Sequence, residues 1–360
     1  MTRRVGPVLL QGILLGVLVA LALAPMLFEG SRALDTAARI CVLIVLAASF
    51  DLLLGYAGIV SFAHTMFFGL GAYGVALASV HMGRGPEALM AGTAAGAAAA
   101  AVLALVIGLF SLRVRAIFFA MITLAIASAM AVLVAQLSTL TGGEDGLTYA
   151  IPRALTAAET HGTIPAFALG PLAFDGLRIS GKIANYYLVF GCSLLLFALM
   201  LRLVASPFGR VLQAIRENDH RAEAVGYSVL RYRIGISVIS AVIASFAGAL
   251  YAIWLRYVGP DVTLSFDLMI DILLMVVIGG MGTLYGAVIG AVLLVLAQTY
   301  LREAMGPDLI GVLPPAIADL PLLPDLLDPD RWLLWLGVLF VLSVYFFPTG
   351  VVGRLRGRAG

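Results

Sequence analysis

The stretch of this sequence best equipped for chemistry is polar and runs from Ser206-Pro207 to Arg233. It carries Arg210, Arg216, Glu217, Asn218, Asp219, Arg221 and Glu223, with charges of both signs a few residues apart. Val211, Leu212 and Ile215 fall on one helical face, so a helix is expected over 210–218. A second is expected over 219–225, with Asp219 able to cap it and Gly226 able to stop it. Two short, charged helices make a rigid knob, and the chemistry such a knob offers is docking. Arg216, Glu217, Asn218, Arg221, Glu223 and Gly226 are therefore the candidate contacts to a partner.

Catalysis has little support. His64, His81, His161 and His220 are scattered, and there is no Ser/His/Asp grouping, His-Glu-x-x-His pair or metal-ligand spacing. Cys41 and Cys192 lie in apolar runs and read as small core residues. No Gly-x-x-x-x-Gly-Lys-[Ser/Thr] loop exists, and the only lysine is Lys182, so the chain has no phosphate-binding loop of its own. No basic cluster is large enough to suggest nucleic acid.

A second set of polar residues is embedded in apolar runs, where ionisable groups are costly and often functional. Asp51, Ser61 and His64 belong here, and Asp51 and His64 are expected near one membrane face, at the interface or paired with each other. Asp267 and Asp271 read as loop anchors, with a place near the entry of a solute's ammonium group as the alternative, and Arg256 as an interfacial side chain reaching for water. The run Gly279-Gly280-Met281-Gly282-Thr283 is a place for a helix break whose free backbone groups could face a solute. Gly92/Gly96 and Gly282/Gly286/Gly290 put small residues on single helix faces, which favours close helix packing.

Composition fixes the setting for all of these residues. The chain is 62% hydrophobic and 12% charged, with a mean hydropathy of +1.07. Soluble domains are about one quarter charged, so lipid must solvate much of this surface. Apolar runs cover residues 7–28, 37–54, 60–80, 88–110, 117–140, 186–204, 234–257, 268–278, 284–300 and 332–347. The arginine-rich segments (Arg3/Arg4, Arg113/Arg115, 202–233 and Arg354/Arg356/Arg358) are expected on the cytoplasmic side. Parity then puts residues 258–267 and 301–331 outside, so 268–300 must cross twice or re-enter, turning at Gly279–Thr283. The expectation is an all-α polytopic membrane protein of about ten segments, short or re-entrant around 268–300, with both termini inside. One membrane domain spans 1–360, with external loops at 141–185 and 301–331 and a cytoplasmic segment at 206–233. Short strands or an amphipathic turn fit the first loop.

Several of these stretches together resemble one family. They are Ala214-Ile215-Arg216-Glu217-Asn218-Asp219 with Ala222 to Gly226, Gly55 to Tyr73 including Gly58, Ser61, His64 and Phe67, and Thr141 to Leu147. Ser265 to Gly290 and the closing Phe346-Phe347-Pro348-Thr349-Gly350 complete the set. In that order they resemble branched-chain amino-acid ABC transporter permeases of the LivM type, within the broader importer family for hydrophobic amino acids, urea and amides. Tyr285 and Ala287 depart from the Gly-Pro expected after the Gly-Thr step. The resemblance implies a bacterial inner-membrane subunit that binds no cofactor itself. Its implied partners are a second homologous permease, two ABC ATPase subunits that use ATP, and a periplasmic solute-binding protein. It also makes residues 206–233 the ATPase-coupling element. Ser61, His64, Phe67, Gly279, Gly280, Gly282 and Thr283 become candidates for the translocation path.

Overall fold

The computed structural model describes residues 5–27, 31–111, 116–157, 159–164, 167–169, 172–174, 177–304, 328, 331–347 and 350–355. Among these, eight helices are long and apolar enough to cross a membrane, and two shorter apolar helices cover Leu9–Ala22 and Leu333–Ser343. Each of the ten apolar runs corresponds to one of them. Most of the 301–331 loop lies outside the described residues.

In chain order the helices begin with α1 (Val5–Ala22), α2 (Ala24–Leu27), α3 (Ser31–Asp51), α4 (His64–Met82), α5 (Pro86–Ser111) and α6 (Ala116–Gln136). There follow α7 (Ser138–Thr141), α8 (Gly181–Ala205), α9 (Pro207–Glu217), α10 (Asp219–Ala224) and α11 (Val229–Leu255). The last are α12 (Pro260–Thr263), α13 (Phe266–Gly279), α14 (Leu284–Ala304), α15 (Trp332–Phe346) and α16 (Gly350–Leu355). Among the described residues six short strands pair off between helices: β1 (Leu147–Thr148), β2 (Thr160–Ile164), β3 (Phe167–Leu169), β4 (Leu172–Phe174), β5 (Leu177–Ser180) and β6 (Tyr257–Val258). β1 pairs antiparallel with β6, β2 with β5, and β3 with β4. The first pairing ties the 141–185 loop to the end of α11.

α3, α4 and α11 form the centre, and α3 has the most buried span window at 89%. Lipid cannot drive apolar helices together, so close backbone approach must. A Cβ added at Gly71 would collide with Ser245 O on α11, and one at Gly248 with Phe68 O on α4. The small-residue faces read from the sequence act in the same way. Gly92 and Gly96 bring α5 against α4 at Gly74, Leu70 and Gly71, and Gly290 lies against Met275 O of α13. Polar side chains add fixed points: Ser240 Oγ donates to Ser49 O at 2.6 Å, and Tyr186 Oη donates to Leu21 O at 2.6 Å.

One face of the bundle gathers the charged knob, the Gly279–Thr283 turn and both ends of the described chain. Arg216 reaches Gly55 and Gly282, Gly350 packs on Gly280, and Leu10 clusters with Ile289 and Val352.

The helix ends correct several expectations. The first run breaks at Leu23, between α1 and α2. The run starting at residue 60 has no helix until His64, and the one ending at 140 leaves the helix at Gln136. Cys41 is buried, but Cys192 is exposed on α8 and is not a core residue. Arg256 is more than an interfacial side chain: it ends α11 in the left-handed conformation (φ 58°), and its N–H donates to Ala252 O.

Candidate coupling and transport site

The knob is built much as its sequence indicates, with different caps. Ser206 accepts from Gly209 N–H and Pro207 opens α9, so the helix starts earlier than residue 210. Asn218, not Asp219, caps α10, its Oδ1 accepting from Arg221 N–H at 2.9 Å. Asp219 instead pairs with Arg233 at 2.7 Å, which ties α10 to the start of α11. Ile215, Ala222 and Val229 close a small core between α9, α10 and α11. That core faces inward and leaves Glu217, Asn218, Arg221, Glu223 and Gly226 exposed. Beside them Val225 is 71% exposed and Tyr227 42%, giving the charged tip an apolar centre. An apolar centre within a polar rim is the anatomy of a protein contact.

The other side of α9 meets two interrupted helices. α3 runs into a single π-helical segment, Leu52–Tyr56, after which the chain doubles back, with Ile59 N–H donating to Leu53 O at 2.9 Å. π-bulges are frequent at functional positions. α13 ends at Gly279, and the chain turns through Gly280 and Gly282 before α14 begins at Leu284. Gly282 holds φ +79°, a conformation that favours glycine. Thr283 braces the turn, its hydroxyl donating to Gly280 O at 2.9 Å and accepting from Gly286 N–H.

Arg216 and Asp51 join these breaks. Arg216 donates a guanidinium N–H to Gly55 O. Asp51 Oδ1 accepts the Gly282 N–H at 2.8 Å. A Cβ at Gly55 would collide with Asp51 Oδ1 and Gly282 N, so glycine alone lets the two backbones come this close. The knob is thereby bonded to the end of α3 through Arg216, which lies beside the Gly282 turn that Asp51 holds. Arg216 and the Gly279–Thr283 turn belong to separate candidate sites in the sequence; the fold brings them to a single junction.

Ser61, His64 and Phe67 lie elsewhere. His64 Nε2 is 2.8 Å from Ser49 Oγ, is wholly buried, and meets Phe50 edge-on. It does not pair with Asp51. Ser49 lies seven residues above the end of the α3 helical run at Tyr56, so His64 sits about 10 Å inside that face rather than at it. Phe67 is buried in the core, and Ser61 lies in the non-helical approach to α4.

Two features escaped sequence reading. Arg39 on α3 donates to Gln298 on α14 at 3.1 Å, and Gln298 Nε2 donates to both oxygens of Asp271 on α13 at 2.9 Å. Asp271 is thus part of a polar chain across three helices, not a loop anchor. On the face opposite the knob, Arg84, Arg153 and Arg256 border a cleft of about 850 Å³ with Tyr149, Glu159 and Tyr257. Burial raises the Tyr149 hydroxyl pKa well above its ordinary value.

Residues 32–344 match the permease component of the branched-chain amino acid transport system. The chain belongs to that family. The permease is 29% identical over 305 residues to the high-affinity branched-chain amino acid transport system permease protein LivM of Escherichia coli K12, covering 83% of this chain and 70% of that protein. It is 28% identical over 310 residues to LivM of Salmonella typhimurium, at the same coverage. The probable branched-chain amino acid transport permease protein LivM of Methanocaldococcus jannaschii is 28% identical over 183 residues, half of this chain and 49% of that one. No solved structure matches. The permease is a multi-pass membrane subunit of an ABC importer.

Proposed function

We propose that this permease forms half of the membrane passage of an ATP-driven importer for branched-chain amino acids or similar small polar solutes. ATP is hydrolysed by two separate ATPase subunits that grip α9 and α10 on the cytoplasmic face. A second, homologous permease completes the passage, and a periplasmic binding protein delivers the solute. The named relatives support the solute class. The exposed knob tip supports the ATPase contact, and the arginine-bordered cleft on the opposite face offers an acidic binding-protein surface a place to land.

The observation that carries the reading is the contact of Arg216 with Gly55 and Gly282. When the motor subunits close, α9 moves, and through Arg216 the ends of α3 and α13 move with it. Both elements are interrupted at that point, so they hinge there more readily than intact helices would. Rocking of these elements exposes the passage first to one side and then to the other. Asp51 keeps the α13–α14 turn attached to α3 so that both respond together.

The test is the charge reversal Glu217→Arg/Glu223→Arg in proteoliposomes holding both permeases and the ATPases, with binding protein and leucine outside and ATP inside. The reading expects normal insertion with loss of uptake. ATP-independent uptake untouched by the reversal would replace it with a passive channel or secondary carrier.

A further inference from the structure

Two breaks in helical backbone lie at membrane depth in this fold. The first, residues 57–63, climbs from the π-helical end of α3 to His64, whose bond to Ser49 puts the start of α4 well inside the bilayer span. The second descends from β6 through α12 to α13. α13 has only 14 residues, about 21 Å of helix, so its first residue, Phe266, also lies inside. Leu264 is packed against Gly69 of α4, which places the second stretch at that depth independently. Irregular backbone inside a membrane persists only where protein buries it or where it lines a cavity.

The two stretches meet at a cavity. Phe62 and Phe266 bring their rings to 6.4 Å, and Phe62 N–H donates to Thr123 Oγ1 on α6 at 3.1 Å. Next to this aromatic pair is a cleft of about 550 Å³ between α4, α6 and residues 260–266. That volume lies within the range of pockets for small molecules, about 300–1,000 Å³. Its polar lining is Thr65, Ser128 and Ser265, with Glu144 and Asp261 toward the outer loops. Thr65 is 2% exposed and stands at the inner wall of the cleft. Glu144 and Asp261 have no cationic partner among the described residues. Ser128 and Phe266 are exposed, so the cleft opens sideways from this subunit as well as outward.

We infer that this cleft is the permease's half of the solute passage, taking small solutes that carry an ammonium group, with Phe62 and Phe266 as its gate. Glu144 and Asp261 draw the ammonium in at the mouth. Thr65, Ser128 and Ser265 replace water around the polar end as the solute descends. The sideways opening faces the second permease, which closes the passage. The inference rests on the import reading above, and it moves the passage away from Ser61, His64 and Phe67, which do not line the cleft.

Single cysteines at Ser128 and Ser265 in a Cys192→Ala background test it in the reconstituted importer, using a membrane-impermeant thiol reagent outside. The expected result is labelling of both positions, slowed by leucine-loaded binding protein with ATP. Ser265→Trp is expected to abolish uptake while binding-protein-stimulated ATP hydrolysis continues, and Phe62→Ala/Phe266→Ala to let preloaded leucine leak without ATP. The stimulated hydrolysis shows that the tryptophan variant is folded and docked. Full uptake by Ser265→Trp, or labelling that never responds to solute and ATP, would overturn the assignment while the wild-type uptake leaves the import reading intact. Wild-type protein that takes up leucine without ATP would overturn the import reading itself.

Discussion

Removing the Arg216 guanidinium should uncouple the motor from the passage without unfolding the protein. Arg216 contributes one charge-assisted hydrogen bond, to Gly55 O, and its side chain shields the close approach of Gly55 to Gly282. Such bonds contribute about 1.5–3 kcal/mol. The Arg216 residue is exposed, so water replaces part of the loss and the lower end, about 1.5 kcal/mol, is appropriate. Each 1.4 kcal/mol is about tenfold in an equilibrium, here between engaged and disengaged junctions. Arg216→Ala should therefore raise the ATP consumed per leucine imported by about tenfold. Arg216→Lys, which keeps the charge but not the planar fork, should fall between. The assay is simultaneous measurement of ATP hydrolysis and labelled leucine uptake in proteoliposomes. An Arg216→Ala transporter with unchanged ATP per leucine would refute the idea that force passes through this contact.

Other consequences follow from the packing and the caps. Gly71→Leu and Gly248→Val would each drive a side chain into a facing backbone carbonyl, so neither should yield a monodisperse protein in detergent, as size-exclusion chromatography will report. Asn218→Ala removes the α10 cap and should destabilise that helix by about 1 kcal/mol, seen as faster amide exchange over residues 219–226 with the spans unchanged. Asp271→Asn keeps an oxygen acceptor for Gln298 and should preserve thermal stability in detergent, whereas Asp271→Leu leaves Gln298 Nε2 without its acceptor and should lower the melting temperature. Arg84→Glu/Arg153→Glu reverses two charges of the outer cleft and should raise the binding-protein concentration needed for half-maximal uptake, with hydrolysis in the absence of binding protein unaltered.

Much of this architecture is legible in the sequence because membranes impose simple rules. Ten apolar runs map to ten helices, and arginine placement with parity is enough to require a crossing pair around Gly279–Thr283. The knob is legible as two helices because Val211, Leu212 and Ile215 share one face and Gly226 is a local stop signal, although the start at Ser206-Pro207 is not read from that face. The choice between Asn218 and Asp219 as cap is less so, because both types cap well and only the position of Arg233 decides. The re-entrant approach to His64 was hidden for a different reason. Residues 60–80 are predominantly apolar, and hydropathy does not distinguish helix from buried irregular backbone. Pairings such as Ser49–His64, Asp51–Gly282 and Arg39–Gln298–Asp271 have no signature in spacing, since they depend on which helices pack. The cleft was missed likewise: Thr65, Ser128, Asp261 and Ser265 are unremarkable in sequence until the fold brings them to one wall.

The most direct test of the account is leucine uptake by the complete reconstituted assembly, with binding protein outside, and ATP or a non-hydrolysable analogue inside. The account predicts accumulation against a gradient with ATP and none with the analogue, dependent on this permease, its partner permease, the ATPases and the binding protein. Equal uptake with the analogue, or with the ATPase subunits left out, would contradict it.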